Sequence, residues 1–222
     1  MSAVPAAVLF DLDGTLVNSE PLNVESVVLA VRHLGRELDA DDKQFVIGHS
    51  WNEIHARICL KHQLTISMAA LIAAAVEEKR ALVATQGMPI LPGAVATVRR
   101  LGQRSPLAVV TGASRVEAEE AVGSLGLMDA FTFILAAEDY GRGKPDPEPY
   151  RLAMERLGVA PATTLVIEDA TPGIRSARAA GARVIAVRAG NYSGYDLSMA
   201  HTVVDTLEQV TDDLIGRVLS AE

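Results

Sequence analysis

The fold is decided by one stretch near the start of the chain, Ala6-Ala7-Val8-Leu9-Phe10-Asp11-Leu12-Asp13-Gly14-Thr15. Its first five residues form a continuous apolar run, which is typical of a strand buried on both faces of a parallel sheet. The run ends at Asp11, so two carboxylates and a glycine turn come directly after the strand. Because open parallel sheets bind ligands beyond the carboxyl ends of their strands, this stretch predicts both a fold and the place of a site.

After Gly87 the chain alternates apolar runs with helical patterns. Strands are predicted at Leu107–Val110, Thr132–Leu135, Leu165–Ile167, Val184–Val187 and Thr202–Val204. Helices are predicted at Ala94–Leu101, Val116–Leu125, Pro149–Leu157 and Pro172–Ala180. Thr171 is interpreted as the N-cap of the last helix. Since strands that alternate with helices form βαβ crossovers, the sequence predicts an α/β fold, a Rossmann-like open parallel sheet with helices on both faces.

Residues 17–87 carry a different, purely helical pattern. Apolar residues recur there at three- and four-residue spacings, for example Val24, Val27 and Val31. Asp39–Lys43 is interpreted as a polar turn between two of these helices. We therefore expect an α/β core domain formed by residues 1–16 and 88–222, and a small inserted α-helical cap domain at residues 17–87.

The amino-acid composition limits the kinds of partner that this chain can bind. The 222 residues include 28 acidic and 20 basic side chains, and the resulting net charge of -8 repels polyanions and predicts no nucleic-acid partner. No apolar stretch is long enough to span a membrane, and the single cysteine, Cys59, excludes an internal disulfide. Residues 1–10 lack the basic start and the cleavage site of a signal peptide. A cytoplasmic monomer with no membrane partner is expected.

Carboxylates cluster at the predicted ends of the first and fourth strands. Asp11 and Asp13 follow the first strand, and Glu168 and Asp169 follow the fourth. Carboxylates brought together in this way repel one another unless a cation lies among them. Because oxygen ligands in this number favour a hard divalent cation, Asp11, Asp13 and Asp169 are predicted to bind Mg²⁺.

Other residues at the same edge of the sheet suit a phosphate group. Thr111 offers a hydroxyl and Gly112 a backbone N–H, while Lys144, in the loop after the third strand, offers a positive charge. Together these three residues can hold three phosphate oxygens. The spacing of Asp11 and Asp13 suits covalent chemistry, with Asp11 as nucleophile and Asp13 as the acid and base that serves first the leaving oxygen and then water.

Taken in order, four segments resemble the haloacid dehalogenase superfamily of phosphohydrolases: Asp11–Thr15, Thr111-Gly112, Lys144–Pro147 and Glu168-Asp169. Two longer stretches, Asp13–Leu22 and Gly143–Tyr150, resemble its helical-cap branch, which contains sugar-phosphate phosphatases, phosphoglycolate phosphatases and β-phosphoglucomutases. The resemblance implies the same catalytic roles for Asp11, Asp13, Thr111 and Lys144. It also implies that Mg²⁺ is bound by Asp11, the backbone carbonyl of Asp13 and Asp169, with Glu168 as a weaker candidate ligand.

The cap contributes one candidate substrate contact, the loop at residues 47–52. A glycine loop that carries His, Ser, Trp and Asn side chains has a high capacity for hydrogen bonding, and in relatives the corresponding loop faces the core site. Gly48, His49 and Ser50 are therefore candidate substrate-binding residues, and a simple turn between helices is the alternative.

Two positions distinguish between activities within the resembled family. β-Phosphoglucomutases carry a histidine downstream of the nucleophile and an arginine in the cap loop, where this chain has Asn23 and Trp51. Because the chain lacks this second contact with phosphate, water rather than a sugar hydroxyl is the expected acceptor of the phosphoryl group. We expect a Mg²⁺-dependent phosphomonoesterase that hydrolyses a small phosphorylated metabolite, a sugar or sugar-acid phosphate, through an aspartyl-phosphate. The alternative is a hexose-phosphate mutase of the β-phosphoglucomutase type.

Overall fold

The computed structural model describes residues 4–191 and 193–221. Residues 1–3, 192 and 222 of the predicted core domain lie outside the described residues. The chain divides into two compact units, one made of Met1–Asn18 with Pro89–Glu222 and the other of Ser19–Met88. The assignment of the first unit as a catalytic core and of the second as a cap stays a prediction.

Strands and helices alternate in the larger unit, and the smaller unit is helical. The strands are β1 Ala7–Phe10, β2 Leu107–Val110, β3 Phe133–Leu135, β4 Thr164–Glu168, β5 Arg183–Val187 and β6 Thr202–Val204. The helices are α1 Glu20–His33, α2 Ala40–Val46, α3 Trp51–His62, α4 Met68–Gln86, α5 Ala94–Gly102, α6 Arg115–Ser124, α7 Glu148–Leu157, α8 Thr171–Ala179 and α9 Asp212–Ser220.

The six strands found among the described residues form a single sheet in the order β3-β2-β1-β4-β5-β6. Every neighbouring pair is parallel. This is the strand order of a doubly wound sheet, in which the chain changes direction between β1 and β4. The predicted α/β fold is confirmed, and the switch point lies where ligands bind in such sheets.

Both faces of the sheet are covered. Every residue of β1, β2 and β4 is buried, which explains why these strands are continuous apolar runs rather than alternating ones. Leu9 packs on one face in a core that includes Ala153 of α7 and Ile174 of α8. Its neighbours Val8 and Phe10 point to the opposite face and are also fully buried. The strands therefore hold the residues at their ends on a rigid support.

The helical unit has an apolar core of its own. Its centre includes Val27, Val31, Ile58 and Leu71. Ser50 and Ser67 are the N-caps of α3 and α4, where each side chain accepts a hydrogen bond from a backbone N–H of the first turn.

No helix within residues 4–191 and 193–221 is both long enough and apolar enough to cross a membrane.

The interpretation of Asp39–Lys43 as a turn is wrong. These residues start α2, and Asp39 is its N-cap because its side chain accepts a hydrogen bond from the N–H of Asp42. The helix has seven residues, of which Asp42 and Val46 are the buried ones, so it lacks the apolar stripe from which helices are identified in sequences.

Two further local features differ from the sequence analysis. Ala170, and not Thr171, is the N-cap of α8, since the Thr171 hydroxyl donates to the carbonyl of Asp196 at 2.8 Å instead of capping the helix. α9 follows the last predicted strand and was not predicted. Its N-cap is Thr211, whose side chain accepts a hydrogen bond from the N–H of Leu214 and is the signal that could have identified this helix.

A buried carboxylate joins α2 to α3. Asp42 accepts hydrogen bonds from Arg57 Nε at 3.2 Å, Lys61 Nζ at 2.9 Å and His62 Nε2 at 2.7 Å. Burial opposes ionisation of this carboxyl, but the bonds from Lys61, His62 and Arg57 outweigh it and hold the pKa of Asp42 well below its usual range. Three basic side chains thus balance one buried acid.

We expect Asp42→Asn to lower the free energy of unfolding by about 1–3 kcal/mol at pH 7, because it leaves three donors without their shared charge. Asp41→Asn, at an exposed position of the same helix, is the control and should change it by less than about 0.5 kcal/mol.

The same pair of variants tests the pKa of Asp42. Because this pKa is lowered in the folded state, the stabilisation is fully present above the unfolded pKa of about 3.9 and is lost as the pH falls further. Urea denaturation should therefore show a gap between the two variants that shrinks below about pH 4. Equal stability of the two variants at pH 7 would contradict this account.

Candidate active site

The candidate site lies at the carboxyl ends of three adjacent strands. Thr111 follows β2, Asp11 follows β1, and Glu168 ends β4 with Asp169 directly after it. Because β1 lies between β2 and β4, the parallel strands bring together residues that are far apart in the sequence. The strand ends predicted to form a site are neighbours in the sheet.

Lys144 reaches this site from the loop between β3 and α7. Its Nζ lies 2.6 Å from Asp11 Oδ1, 2.7 Å from Glu168 Oε1 and 3.0 Å from the carbonyl oxygen of Val110. An ammonium group has three N–H donors, and each has an acceptor here. The side chain is only 12% exposed, so these contacts are made largely out of water. Lys144 is thereby fixed beside the carboxylate of Asp11.

Three carboxylates lie close together at this position. Asp11, Glu168 and Asp169 each have an oxygen within 4.8 Å of the others, and all three are buried. Burial raises the pKa of Asp11 to about 7, although the charge of Lys144 lowers it. Burial, together with the charges of Asp11 and Glu168, raises the pKa of Asp169 to about 9. One lysine does not balance three acids, so this donor set fits a hard divalent cation such as Mg²⁺.

Glu168 already has many hydrogen-bond partners. Its Oε1 accepts from Lys144 Nζ and, at 3.0 Å, from the Tyr150 hydroxyl. Its Oε2 accepts from the backbone N–H groups of Asp169 at 2.9 Å and Ala170 at 3.0 Å. A carboxylate has about four lone-pair sites, and all are in use. These bonds favour a role for Glu168 in holding Lys144 over direct binding of a cation.

Gly173 makes room for the Glu168 carboxylate. A Cβ atom at Gly173, in the first turn of α8, would overlap the carboxylate of Glu168. The residue therefore has to be glycine for a steric reason, since its φ is not in the left-handed region. A glycine in the first turn of a helix is not by itself a recognisable signal, so this steric requirement is not apparent from the sequence.

Thr111 and Gly112 lie at the end of β2, as predicted. Thr111 is buried, and its Oγ1 accepts a hydrogen bond from the N–H of Ala113 at 3.0 Å. The Tyr140 hydroxyl donates to the Thr111 carbonyl at 2.8 Å and so fixes the backbone of this turn. Gly112 is exposed, and a Cβ there would meet nothing within 4 Å, so its backbone is open to a ligand. The predicted phosphate contact of both residues stays a prediction.

Asp13 lies in the turn after β1. The turn is closed by hydrogen bonds from Gly14 N to the Val17 carbonyl at 2.7 Å and from Leu16 N to the Leu12 carbonyl at 2.8 Å. Gly14 has a φ of +87°, and a Cβ at this position would overlap the Asp169 carboxylate. Asp13 is exposed whereas Asp11 is buried, so the two carboxylates of the Asp-x-Asp sequence lie in different environments, as two different roles require.

Gly48, His49 and Ser50 lie in the helical unit, between α2 and α3. Ser50 is the N-cap of α3 in a capping box with Glu53, and the His49 ring stacks on Phe45 with 3.8 Å between the ring centroids. The side chains of Ser50 and His49 are therefore already engaged in contacts within the helical unit. Their contact with a substrate stays a prediction.

Three further residues support the site and are not among those predicted from the sequence. Thr15 donates to Asp169 Oδ1 at 3.4 Å, Tyr140 supports Thr111, and Tyr150 donates to Glu168. Thr15 and Tyr150 belong to the stretches that carry the family resemblance, so a signal for them was present. Tyr140 lies four residues before Lys144, and no pattern in the sequence connects it to Thr111.

Comparison with known proteins agrees with this geometry. The sequence model of the haloacid dehalogenase-like hydrolases matches residues 8–187. Validoxylamine A 7'-phosphate phosphatase of Streptomyces hygroscopicus subsp. limoneus is 36% identical over 190 residues, which cover 78% of this chain and 81% of that protein. Hexitol phosphatase A of Escherichia coli (strain K12) is 35% identical over 206 residues, which cover 91% and 92%.

Among solved structures, CbbY of Rhodobacter sphaeroides in complex with phosphate superposes with a TM-score of 0.75 at 28% identity, covering 93% of this chain and 96% of that one. The chain therefore belongs to the haloacid dehalogenase-like hydrolase family, which confirms the resemblance found in the sequence. Both curated relatives carry phosphatase names, and together with the family they support the predicted class of enzyme, a phosphatase.

Replacement of Gly173 by alanine tests the packing around Glu168. Gly173→Ala should lower the free energy of unfolding by about 1–3 kcal/mol, because the new methyl group displaces a buried, fully bonded carboxylate. It should also lower phosphate release at least about tenfold, since Lys144 loses a partner that positions it.

Gly123→Ala is the matched control in α6, where a Cβ meets nothing within 4 Å. It should raise the free energy of unfolding by about 0.5–1 kcal/mol through helix propensity and leave activity unchanged. Urea denaturation and a phosphate-release assay measure both effects. If the two substitutions shifted stability in the same direction, the steric argument would be wrong.

Proposed function

We propose that this phosphatase is a Mg²⁺-dependent phosphomonoesterase that hydrolyses a small phosphorylated metabolite through an aspartyl-phosphate on Asp11. The observation that supports this most directly is the contact of Lys144 Nζ with Asp11 Oδ1 at 2.6 Å beside two further buried carboxylates. A lysine beside a nucleophilic carboxylate can pair with an incoming phosphate oxygen in a site that would otherwise repel it.

Mg²⁺ would be held by the acidic side of the site. Asp11 and Asp169 would bind it through carboxylate oxygens, and Asp13 through its backbone carbonyl, as the family pattern implies. When bound, Mg²⁺ neutralises these carboxylates and stabilises the charge that develops on a transferring phosphoryl group.

Asp11 would start the reaction. A carboxylate oxygen of Asp11 forms a bond to phosphorus while the bond from phosphorus to the leaving oxygen breaks, and Asp13 gives that oxygen its proton. The product alcohol leaves, and the phosphoryl group stays on Asp11. The exposure of Asp13 suits this step, because a carboxyl at the surface of the site can reach a leaving group that the buried Asp11 cannot.

The second half of the reaction returns the enzyme to its starting state. Asp13, now ionised, takes a proton from water as the water oxygen attacks phosphorus, and the bond between phosphorus and Asp11 breaks. Inorganic phosphate leaves, Asp11 is a carboxylate again, and Asp13 holds the proton needed for the next cycle. Throughout, Thr111, Gly112 and Lys144 would hold the other phosphate oxygens.

A sugar or sugar-acid phosphate is the proposed substrate class. The two curated relatives are named for validoxylamine A 7'-phosphate and for hexitol, which supports a polyhydroxylated substrate. Gly48, His49 and Ser50 are proposed to contact its hydroxyl groups.

The monomeric state expected from the sequence stays a prediction.

A phosphate-release screen of sugar, polyol and sugar-acid phosphates, with and without Mg²⁺, tests the proposed function. Release that depends on Mg²⁺ supports it, and absence of release from every substrate contradicts it. Incubation of β-glucose 1-phosphate with a trace of the bisphosphate separates hydrolysis from the mutase alternative, which would yield glucose 6-phosphate instead of free phosphate.

Asp11→Asn should lower turnover at least about 10³-fold and leave the fold intact, because it keeps the shape of the side chain and removes the nucleophile. Asp13→Asn should still form the phosphoenzyme from p-nitrophenyl phosphate, whose leaving oxygen needs no proton, but should hydrolyse it slowly.

Mass spectrometry of the intact protein after acid quenching distinguishes these two variants. A phosphoryl adduct is expected in Asp13→Asn and not in Asp11→Asn. An adduct on the Asp11→Asn protein would show that another residue is the nucleophile.

Asp169→Asn tests the acidic cluster without relying on activity. Without metal it should raise Tm by about 2 °C or more, because it removes one of three mutually repelling carboxyls. Added Mg²⁺ should raise Tm of the unsubstituted protein and have little effect on this variant. Asp129→Asn, at an exposed position, is the control and should keep the response to Mg²⁺. An equal response in Asp169→Asn would argue against Asp169 as a ligand.

A further inference from the structure

Tyr150 is fully buried in α7 and packs in the same core as Leu9 and Val110. Its hydroxyl donates to Glu168 Oε1 at 3.0 Å, and Lys144 Nζ lies 5.0 Å from the centroid of its ring. A buried hydroxyl has to be desolvated, whereas phenylalanine would fill the same space without that penalty. The polar end of Tyr150 therefore calls for an explanation beyond packing.

The hydroxyl shares its acceptor with Lys144. Glu168 Oε1 lies 2.7 Å from Lys144 Nζ and 3.0 Å from the Tyr150 oxygen, so one carboxylate oxygen serves two donors. Each donor withdraws electron density from that oxygen and weakens its bond to the other. Without the hydroxyl, Glu168 would attract the Lys144 ammonium more strongly and draw it away from the side of Asp11.

The ring acts on the same ammonium group. A cation within about 6 Å of an aromatic face is stabilised by the ring, most strongly where water is excluded. Lys144 is nearly buried, and the ring of Tyr150 partly replaces the hydration that it has lost. The ring therefore stabilises the charge of Lys144 directly, whereas the hydroxyl bonds to the Glu168 oxygen that Lys144 also contacts.

We propose that Tyr150 is a positioning residue of this enzyme, which acts through Glu168 to keep the ammonium of Lys144 available to Asp11 and to the phosphate. This inference rests on the proposed function, in which Lys144 binds a phosphate oxygen. Tyr150 does not itself touch the substrate. Its contribution is to limit how tightly Glu168 holds the lysine.

Tyr150→Phe removes the hydroxyl and keeps the ring. We expect kcat to fall about tenfold, because a displaced lysine stabilises the transition state less well. The Kd of inorganic phosphate, measured by calorimetry with Mg²⁺ present, should rise about threefold, since the same lysine binds phosphate in the ground state. The phosphate measurement needs no turnover, so it tests the inference even on a protein that hydrolyses none of the substrates screened.

Combination with Glu168→Gln separates positioning from a general structural effect. This substitution keeps the shape of residue 168 and removes the charge that Tyr150 and Lys144 share. If Tyr150 acts through that charge, adding Tyr150→Phe to Glu168→Gln should change kcat and the phosphate Kd by less than about twofold. A merely structural role would reproduce the full single-variant losses in the Glu168→Gln background.

Thr97→Val is the matched control for loss of a buried hydroxyl. Thr97 is buried in α5, and its Oγ1 donates to the carbonyl of Leu207 at 3.0 Å. It should lower thermal stability about as much as Tyr150→Phe and leave kcat and the phosphate Kd within about twofold. Unchanged kcat and phosphate Kd in Tyr150→Phe, or losses that multiply in the double variant, would overturn the inference. Absence of Mg²⁺-dependent phosphate release from the unsubstituted protein would instead overturn the proposed function.

Discussion

The arrangement of the site depends on the contact of one lysine with two buried carboxylates. Lys144 Nζ lies 2.6 Å from Asp11 and 2.7 Å from Glu168, and Asp169 adds a third carboxyl to the same cluster. With all three acids ionised, the cluster would carry two negative charges in excess, which a protein interior does not tolerate. Burial, together with the neighbouring carboxylates, therefore raises the pKa values of Asp11 and Asp169. A divalent cation would remove that excess and make the site receptive to a phosphate.

The sheet makes this concentration of charge possible. Burial of β1, β2 and β4 at every residue fixes the strand ends, and parallel pairing places those ends at one edge. The stability contributed by the apolar strands offsets the destabilisation caused by the acids beyond them. Gly14 and Gly173 contribute sterically, since a side chain at either position would displace an acid of the cluster. Site and core therefore depend on the same packing.

The sequence predicts the structure well where only one structural role explains why a residue type occurs at a position. The apolar runs predicted the strands to within one residue at either end, and the polar residues after them predicted which side chains meet. Prediction failed where local and tertiary effects compete. Asp39–Lys43 looks like a turn because its helix is stabilised by contacts of Asp42 with α3, and Tyr140 has no recognisable signal because its partner Thr111 is distant in sequence.

The two buried acidic sites found within residues 4–191 and 193–221 differ in a way that indicates which one is functional. Asp42 is surrounded by Arg57, Lys61 and His62, and its pKa is lowered, so folding itself satisfies its charge. Asp11, Glu168 and Asp169 have one lysine among them, which contacts Asp11 and Glu168, and burial raises the pKa values of Asp11 and Asp169, so folding leaves the charge of this cluster unbalanced. A structural ion cluster gains stability from its own charges, whereas a binding site keeps an imbalance that only a ligand removes. By that criterion the helical cluster is part of the scaffold, and the cluster at the strand ends is the candidate functional site, whose donor set fits a divalent cation.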